Sequence, residues 1–286
     1  MIYGFKHFDA FMAFVVERHR IYERRARGQE RPWTKDPILQ QYKFTNVYRE
    51  LDRVTVWIKE HWREPHKDNE HLWFAMVVAR LINNPDTLAE LSLPGKWNGS
   101  QFLRVMARRR REGKKMFGGA YIISTNGISQ DKSVYLADSV FGPLWEARKM
   151  VAPREKDSLF QFAARLRIYQ GMGSFIAAQV VADMKYTPTL INASDWWTFA
   201  LSGPGSRRGM SYLMGMDPRT KWQEHEWKDA LDELSVLVKD RTDHAKMPRL
   251  HNQDLQNGLC EWSKFRRTQL GTGRPKQRFV PFNEEN

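Results

Sequence analysis

The sequence has a single cysteine, Cys260, in 286 residues. One thiol cannot close an intramolecular disulfide, and it cannot supply a cysteine-ligated zinc site or an iron–sulfur cluster. The eight histidines are scattered, without an HExxH pair or comparable ligand spacing, so no metal site is expected. Long apolar runs are also missing: none reaches the roughly 18 residues of a membrane-spanning helix. The opening stretch MIYGFKHFDAFMAFVVERHR is broken by Lys6, His7 and Asp9 and makes a poor secretory signal. A soluble cytoplasmic protein with no membrane partner is therefore expected. No internal repeat, low-complexity tract or obvious linker interrupts the chain, which favours one domain over residues 1–286.

Positive charge is abundant. Forty-six Lys and Arg stand against 33 Asp and Glu, a formal charge of +13. Such an excess favours polyanionic partners, nucleic acid first among them. At 41% hydrophobic and 13% aromatic, the chain can build a core, so disorder is not expected. Apolar spacing predicts helices over 5–27, 45–63, 70–82, 100–117, 158–169, 174–185, 195–201, 222–239 and 252–268. Pro85 and Asn84 in NNPDT read as a turn, and AYIISTNGISQDKSVYLAD reads as a short β-hairpin about Asn126-Gly127.

Four stretches carry chemistry. In LRIYQGMGSFIAAQVVADM, Gly171, Gly173 and Ser174 lie between two helices, so that backbone amides at a helix start can approach a DNA phosphate. A plain helix–helix turn is the simpler alternative. The basic run at 108–115, with Arg109, Arg110 and Lys114, reads as a surface that tracks phosphates. SGPGSRRGM supplies Gly203, Gly205, Ser206, Arg207, Arg208 and Gly209, glycines and arginines suited to an anion, although glycine and proline also build ordinary loops. Finally Asn46, Arg49, Asp52 and Arg53 share one predicted helix face, and Gln256, Asn257, Glu261 and Lys264 another. These are amide and charged groups fit for base or amine recognition, or for plain solvation. Cys260, beside Leu259 and Trp262, reads as a buried thiol.

Residues 165–200 resemble the helix-hairpin-helix DNA glycosylases, where an essential aspartate follows the hairpin; Asp195 stands 22 positions beyond Gly173. Phe175 and Ile176 occupy the region where bifunctional members keep a lysine, so lyase chemistry is not expected. Six blocks narrow the resemblance: residues 17–55, ARLINNPDTL, FGGAYIISTNG, GMGSFIAAQVVADMKYT, SGPGSRRGM and LQNGLCEWSKFRR. In this order they resemble a phage thymine-hypermodification family, which includes the helical domain of 5-hydroxymethyluracil DNA kinases and the α-glutamyl/putrescinyl thymine pyrophosphorylase clades. No GxxxxGK[ST] motif occurs in these residues, so phosphorylation by that route is not expected of them.

The resemblance implies a mainly α, helix-hairpin-helix DNA-glycosylase-like fold of two helical lobes, with the hairpin at about 158–185 and a small β-hairpin insertion. It implies transfer of an amine, from an amino acid or polyamine, onto pyrophosphorylated 5-hydroxymethyl-deoxyuridine in duplex DNA, releasing pyrophosphate. Asp195 would then be catalytic, where a helix N-cap is the plain alternative. The 203–209 stretch would hold pyrophosphate. Asn46, Arg49, Arg53, Gln256, Asn257, Glu261 and Lys264 would recognise the substrate, and Trp196 would stack on the base, with core packing as the alternative. No cofactor is required by this mechanism; Mg²⁺ would enter with the pyrophosphate. A separate DNA kinase is an expected partner, and an infected bacterial cytoplasm the expected setting. Two other functions stay open: a glycosylase excising a modified thymine, and a non-catalytic DNA-binding subunit.

Overall fold

A computed structural model describes residues 3–119, 125, 127, 129–275 and 278. Among them the chain is mainly helical and forms no strand. It divides into two compact units: one joins Met1–Asp52 to Ala200–Asn286, and the other is the intervening Arg53–Phe199.

The discontinuous unit is built from the helices Phe8–Ala26, Pro37–Gln41, Pro204–Met214, Glu224–His244 and Asn252–Gln269. Phe11 and Phe14 pack on Trp262, with ring centroids 5.8 and 5.5 Å apart, and Phe14 meets Phe265 at 4.7 Å. Edge-on and tilted contacts of this kind add specificity to the area they bury. Pro204–Met214 lies hard against Asn252–Gln269. A Cβ on Gly209 would fall 2.0 Å from the Leu259 carbonyl oxygen, and one on Gly205 would fall 2.5 Å from Cys260 Sγ.

The continuous unit centres on Leu72–Ile82, a helix with every residue buried. Leu159–Arg167 and Ser174–Met184 form a helical hairpin turned by Gly171 at φ +79°. The side-chain direction of Gly171 is filled by Val140, whereas that of Gly173 is open.

Several expectations need correction. The helix expected over 45–63 begins only at Arg53. Asn46 donates its backbone N–H to Asp52 Oδ1 at 3.1 Å and its Nδ2 to the Leu51 carbonyl at 2.7 Å, local bonds that compete with helix. NNPDT is less a loop than a helix start. Asn83 ends one helix in the left-handed region, and Asn84 with Pro85 caps and opens Pro85–Leu91. The second run of the expected β-hairpin is helical, because Asp131 accepts the Ser133 and Val134 amides and starts Lys132–Tyr135. The first run, Ala120 to Ile123, and Asn126 lie outside the described residues. No helix covers 195–201: the Thr198 and Phe199 amides both turn back to the Asp195 carbonyl. The GPGSRRG turn is the first part of a helix, with Gly203 as N-cap and Pro204 opening it.

Candidate functional site

Phe11, Phe14, Val15 and Arg18 occupy the i, i+3, i+4, i+7 positions of one buried helix face. Three are apolar; the fourth carries a charge into the core. Arg18 is 4% exposed. Its Nη2 donates to the Thr45 carbonyl at 2.5 Å, and more weakly to Thr45 Oγ1 and the Asn46 carbonyl, both at 3.3 Å. Its Nε and Nη1 find no partner among the described residues. A buried guanidinium with unanswered N–H groups is expensive and calls for a functional account.

Further polar groups surround it. Asn257 reaches from Asn252–Gln269 to the same strip of chain, donating to Thr45 Oγ1 at 3.1 Å and to the Asn46 carbonyl at 3.4 Å. One turn on, Glu261 is 2% exposed; its Oε1 accepts from Lys264 Nζ at 2.6 Å, while Oε2 has no partner among the described residues. Desolvation raises the Asp52 carboxyl above its usual range, against the Asn46 amide and the positive fields of Arg49 and Arg18. Burial pulls Arg18 down, and the carboxylates of Glu261 and Asp52 oppose it. Burial would also lower Lys264, but the Glu261 charge and hydrogen bond outweigh it and raise the ammonium. The Cys260 thiol is pushed up by burial and by Glu261, so it stays protonated despite the fields of Lys264, Arg18 and Arg208. These groups form one electrostatic cluster, which the glycine contacts of Pro204–Met214 complete by bringing Arg208 toward Cys260. Arg18, Thr45 and Asn46 also line a cavity of about 420 Å³.

The structure thus brings together Asn46, Asn257, Glu261, Lys264 and Arg208 from the sequence-expected sites. It adds Arg18, which composition hid among 46 basic residues and which only its place on an apolar stripe could have signalled. Gln256 is half-buried on the next position of the same helix, and Arg49 joins through its amide to Asp254 Oδ1 at 3.3 Å. Arg53 is exposed at the start of the continuous unit.

Other expected residues have different surroundings. Arg207 donates to Ser202 Oγ, the Trp222 carbonyl and Glu224 Oε2 at 2.7, 2.9 and 2.7 Å, a bonded set that ties down its helix start. Ser206 Oγ accepts the Gly203 amide at 3.0 Å. Gly205 and Gly209 make room for a neighbouring helix, so their close approach is to protein. Both Asp195 oxygens accept backbone amides opening Leu159–Arg167, from Leu159 at 2.7 Å and Phe160 at 3.0 Å. Asp195 thus caps a helix distant in sequence. Trp196 donates Nε1 to the Lys185 carbonyl at 2.9 Å, and its ring lies 3.8 Å from the buried Lys185 Nζ.

One residue of the expected phosphate-tracking run needs correction. Arg109 is 3% exposed and is held by Glu90 and by the Lys115 carbonyl at 2.8 Å, which makes it a structural residue. Arg110 pairs with Asp131, and Lys114 with Glu112 at 2.8 Å. Among the described residues no group of three or more His, Cys, Asp or Glu could hold a metal ion, and no helix is long and apolar enough to cross a membrane.

Comparison with known proteins adds a family to this geometry. Residues 5–274 match the family described as the 5-hmdU DNA kinase helical domain. A 5-hmdU DNA kinase of Bacillus phage SP10 is 24% identical over 230 residues. That match takes in 72% of this chain and 36% of the relative, so the chain spans about a third of the relative's length. No solved structure matches.

Proposed function

The chain belongs to the 5-hmdU DNA kinase helical-domain family, and from that premise we propose that it takes part in thymine hypermodification of DNA. The reaction we assign to it is transfer of an amine onto pyrophosphorylated 5-hydroxymethyl-deoxyuridine. A C–N bond forms at the exocyclic methylene. The C–O bond to pyrophosphate breaks, and pyrophosphate departs with the electron pair. The observation that carries this reading is the buried Arg18, two of whose nitrogens have no hydrogen-bond partner among the described residues, within the field of Glu261, one of whose oxygens has none either.

The chemistry follows from charge. A departing pyrophosphate leaves readily where its growing negative charge is met by fixed cations in a site shielded from water. Arg18 and Arg208 take that role, with Lys264 held beside them by Glu261. Arg207, bonded to Glu224, positions the helix that carries Arg208. An incoming amine is mostly protonated at neutral pH and must lose a proton before it attacks. Asp52, made more basic by desolvation, is suited to accept it.

DNA binding is assigned to the hairpin of the continuous unit, where the Ser174–Met184 helix starts beside the open face of Gly173. Asp195 is assigned a positioning role there. The base-excision alternative would need this carboxylate to face a sugar, whereas both its oxygens hold helix amides.

Mass spectrometry of nucleosides from pyrophosphorylated DNA, incubated with the protein and a panel of amino acids and polyamines, tests the proposal. An amine-bearing deoxyuridine is the expected product. Free base or an abasic site would establish excision, and an unchanged nucleoside profile would establish a binding role.

A further inference from the structure

Two basic clusters of the continuous unit differ in how their charge is met. In the 108–115 run, Arg108 and Arg109 pair with Glu90, Arg110 with Asp131 and Lys114 with Glu112. The second cluster, Lys67, Arg148, Lys149 and Arg154, lines a cavity of about 380 Å³. None of these four is ion-paired with a carboxylate among the described residues. Two carboxylates share the lining, Glu70 and Glu155. Glu70 turns to His71, its Oε1 lying 3.4 Å from Nε2. Asp157, just beyond, gives both oxygens to Arg165 and takes from Arg154 only the backbone N–H, at 2.6 Å.

The walls are held in place. Arg148 donates Nη1 to the Trp145 carbonyl at 3.0 Å, and its guanidinium lies 5.0 Å from the centre of the Trp145 ring. The same ring meets His71 at 4.8 Å, and Asn69 Oδ1 accepts the His71 backbone N–H at 2.8 Å. Trp145 thus ties the 67–71 segment to the 148–154 segment. Cations gathered around a concavity add their fields there, where the same charges on a convex face would be spread into water. The apolar lining is Ala152, Pro153 and Met184; no Phe, Tyr or Trp lines the cavity among the described residues, so a base finds no ring to stack on. We propose that this cavity holds a backbone phosphate of DNA, as a contact separate from the hairpin glycines. Met184 ends the 11-residue helix that Ser174 begins, so one helix of about 16 Å joins the two contacts. The inference rests on the proposed DNA substrate for the identity of its partner, and needs neither the transfer chemistry nor Arg18.

The test uses the full chain and a fluorescein-labelled duplex of unmodified DNA, titrated by anisotropy at several salt concentrations. Lys149 and Arg154 are exposed, so Lys149→Glu with Arg154→Glu should leave the fold intact, with unfolding midpoints measured alongside. Duplex affinity should fall at least about tenfold, and the slope of log affinity against log salt should become shallower by about two. Base sequence should make no difference to either change. Lys221→Glu with Lys239→Glu alters net charge equally at exposed positions of the other unit and should leave affinity within about twofold. Equal losses in the two pairs would reduce the effect to net charge and overturn the proposal, as would unchanged affinity in the cavity pair. Calorimetry with inorganic pyrophosphate separates the remaining source of phosphate. Pyrophosphate binding that the cavity pair abolishes, with duplex affinity retained, would make this a small-anion site and overturn the DNA contact. A wild type that binds no duplex would sink the DNA substrate itself, whereas binding that ignores the cavity pair sinks only this inference.

Discussion

Arg80 in the continuous unit and Arg18 in the discontinuous one are both almost fully buried, at 1% and 4% exposure, yet their surroundings are opposites. Arg80 donates Nε and Nη2 to the two oxygens of Asp183, each at 2.5 Å, and Nη2 also to Thr55 Oγ1 at 3.2 Å. Asp183 is itself fully buried, so the pair is closed. Arg18 has carbonyls and a hydroxyl on one nitrogen, with carboxylates near enough to act through their field but none bonded to it. The first arrangement satisfies its charge within the fold, whereas the second, over the Phe14 ring at 5.0 Å, leaves two nitrogens without a hydrogen-bond partner among the described residues. Burial alone separates neither case; the partners do.

The sharpest way to break this contrast is to make the same substitution in both units. Arg80→Met leaves Asp183 buried and uncompensated, and should cost about 3–5 kcal/mol in urea unfolding. Arg18→Met removes a charge without a bonded carboxylate. Stability should hold or rise, while amine incorporation should fall at least about 100-fold. Equal stability losses would make Arg18 a structural residue like Arg80.

Gly173→Val sharpens the division of labour. The position has φ −61° and ψ 170° with open space beyond, so valine fits the fold. Duplex affinity should drop on the order of tenfold in a binding titration if the hairpin meets phosphate, with far-ultraviolet circular dichroism unchanged. Asp195→Asn keeps one acceptor oxygen for the Leu159–Arg167 helix and loses the charge that favours its N-terminus. A loss of about 1 kcal/mol is expected in urea. Turnover lost at full stability would restore the catalytic role.

Two carboxylates give the comparison a pH dependence. Burial pushes Asp157 up, but the Arg165 hydrogen bond and the Arg154 amide outweigh it and hold the carboxyl below its ordinary range. Its contribution to stability is present above that range and lost as pH falls through the depressed value. Asp52 is raised, so its contribution is full in acid and lost as pH climbs through the raised value. Asp157→Asn should therefore destabilise at neutral pH and much less in acid. Asp52→Asn should stabilise at neutral pH and do little in acid. Melting curves across that range would expose either sign reversed. The smallest effect is expected from Arg111→Ala with Lys115→Ala, two exposed residues of the basic run. Together they should flatten the salt dependence of DNA affinity by about one to two counterions.

Much of the helical layout was legible in the sequence. The stretches around 5–27, 70–82, 158–169, 174–185 and 252–268 carry periodic apolar faces that bury in the structure, because 3.6-residue spacing and burial are local consequences of one another. The misreadings fall where side chains bond to nearby backbone. Asn46 and Asp52 stop a helix, Asn84 and Asp131 start one, and each act turns on a geometry that composition does not specify. Polar residues of the candidate site were legible singly, as in Asn257, Glu261 and Lys264, without any sign that they would meet Arg18.

What the sequence determined by itself was that its one cysteine closes no disulfide within these residues, that the chain is strongly basic and rich in helix, and the ordered blocks of its family. Which of 46 basic residues are structural was decided only by tertiary structure. Arg80, Arg109 and Arg207 have carboxylates brought to them from 103, 19 and 17 positions away. Arg18 is packed beside Glu261 from the far end of the chain, close enough to act through its field yet unbonded to it. A side chain's charge is written in its residue type. Whether that charge is answered depends on which distant segment the fold lays against it.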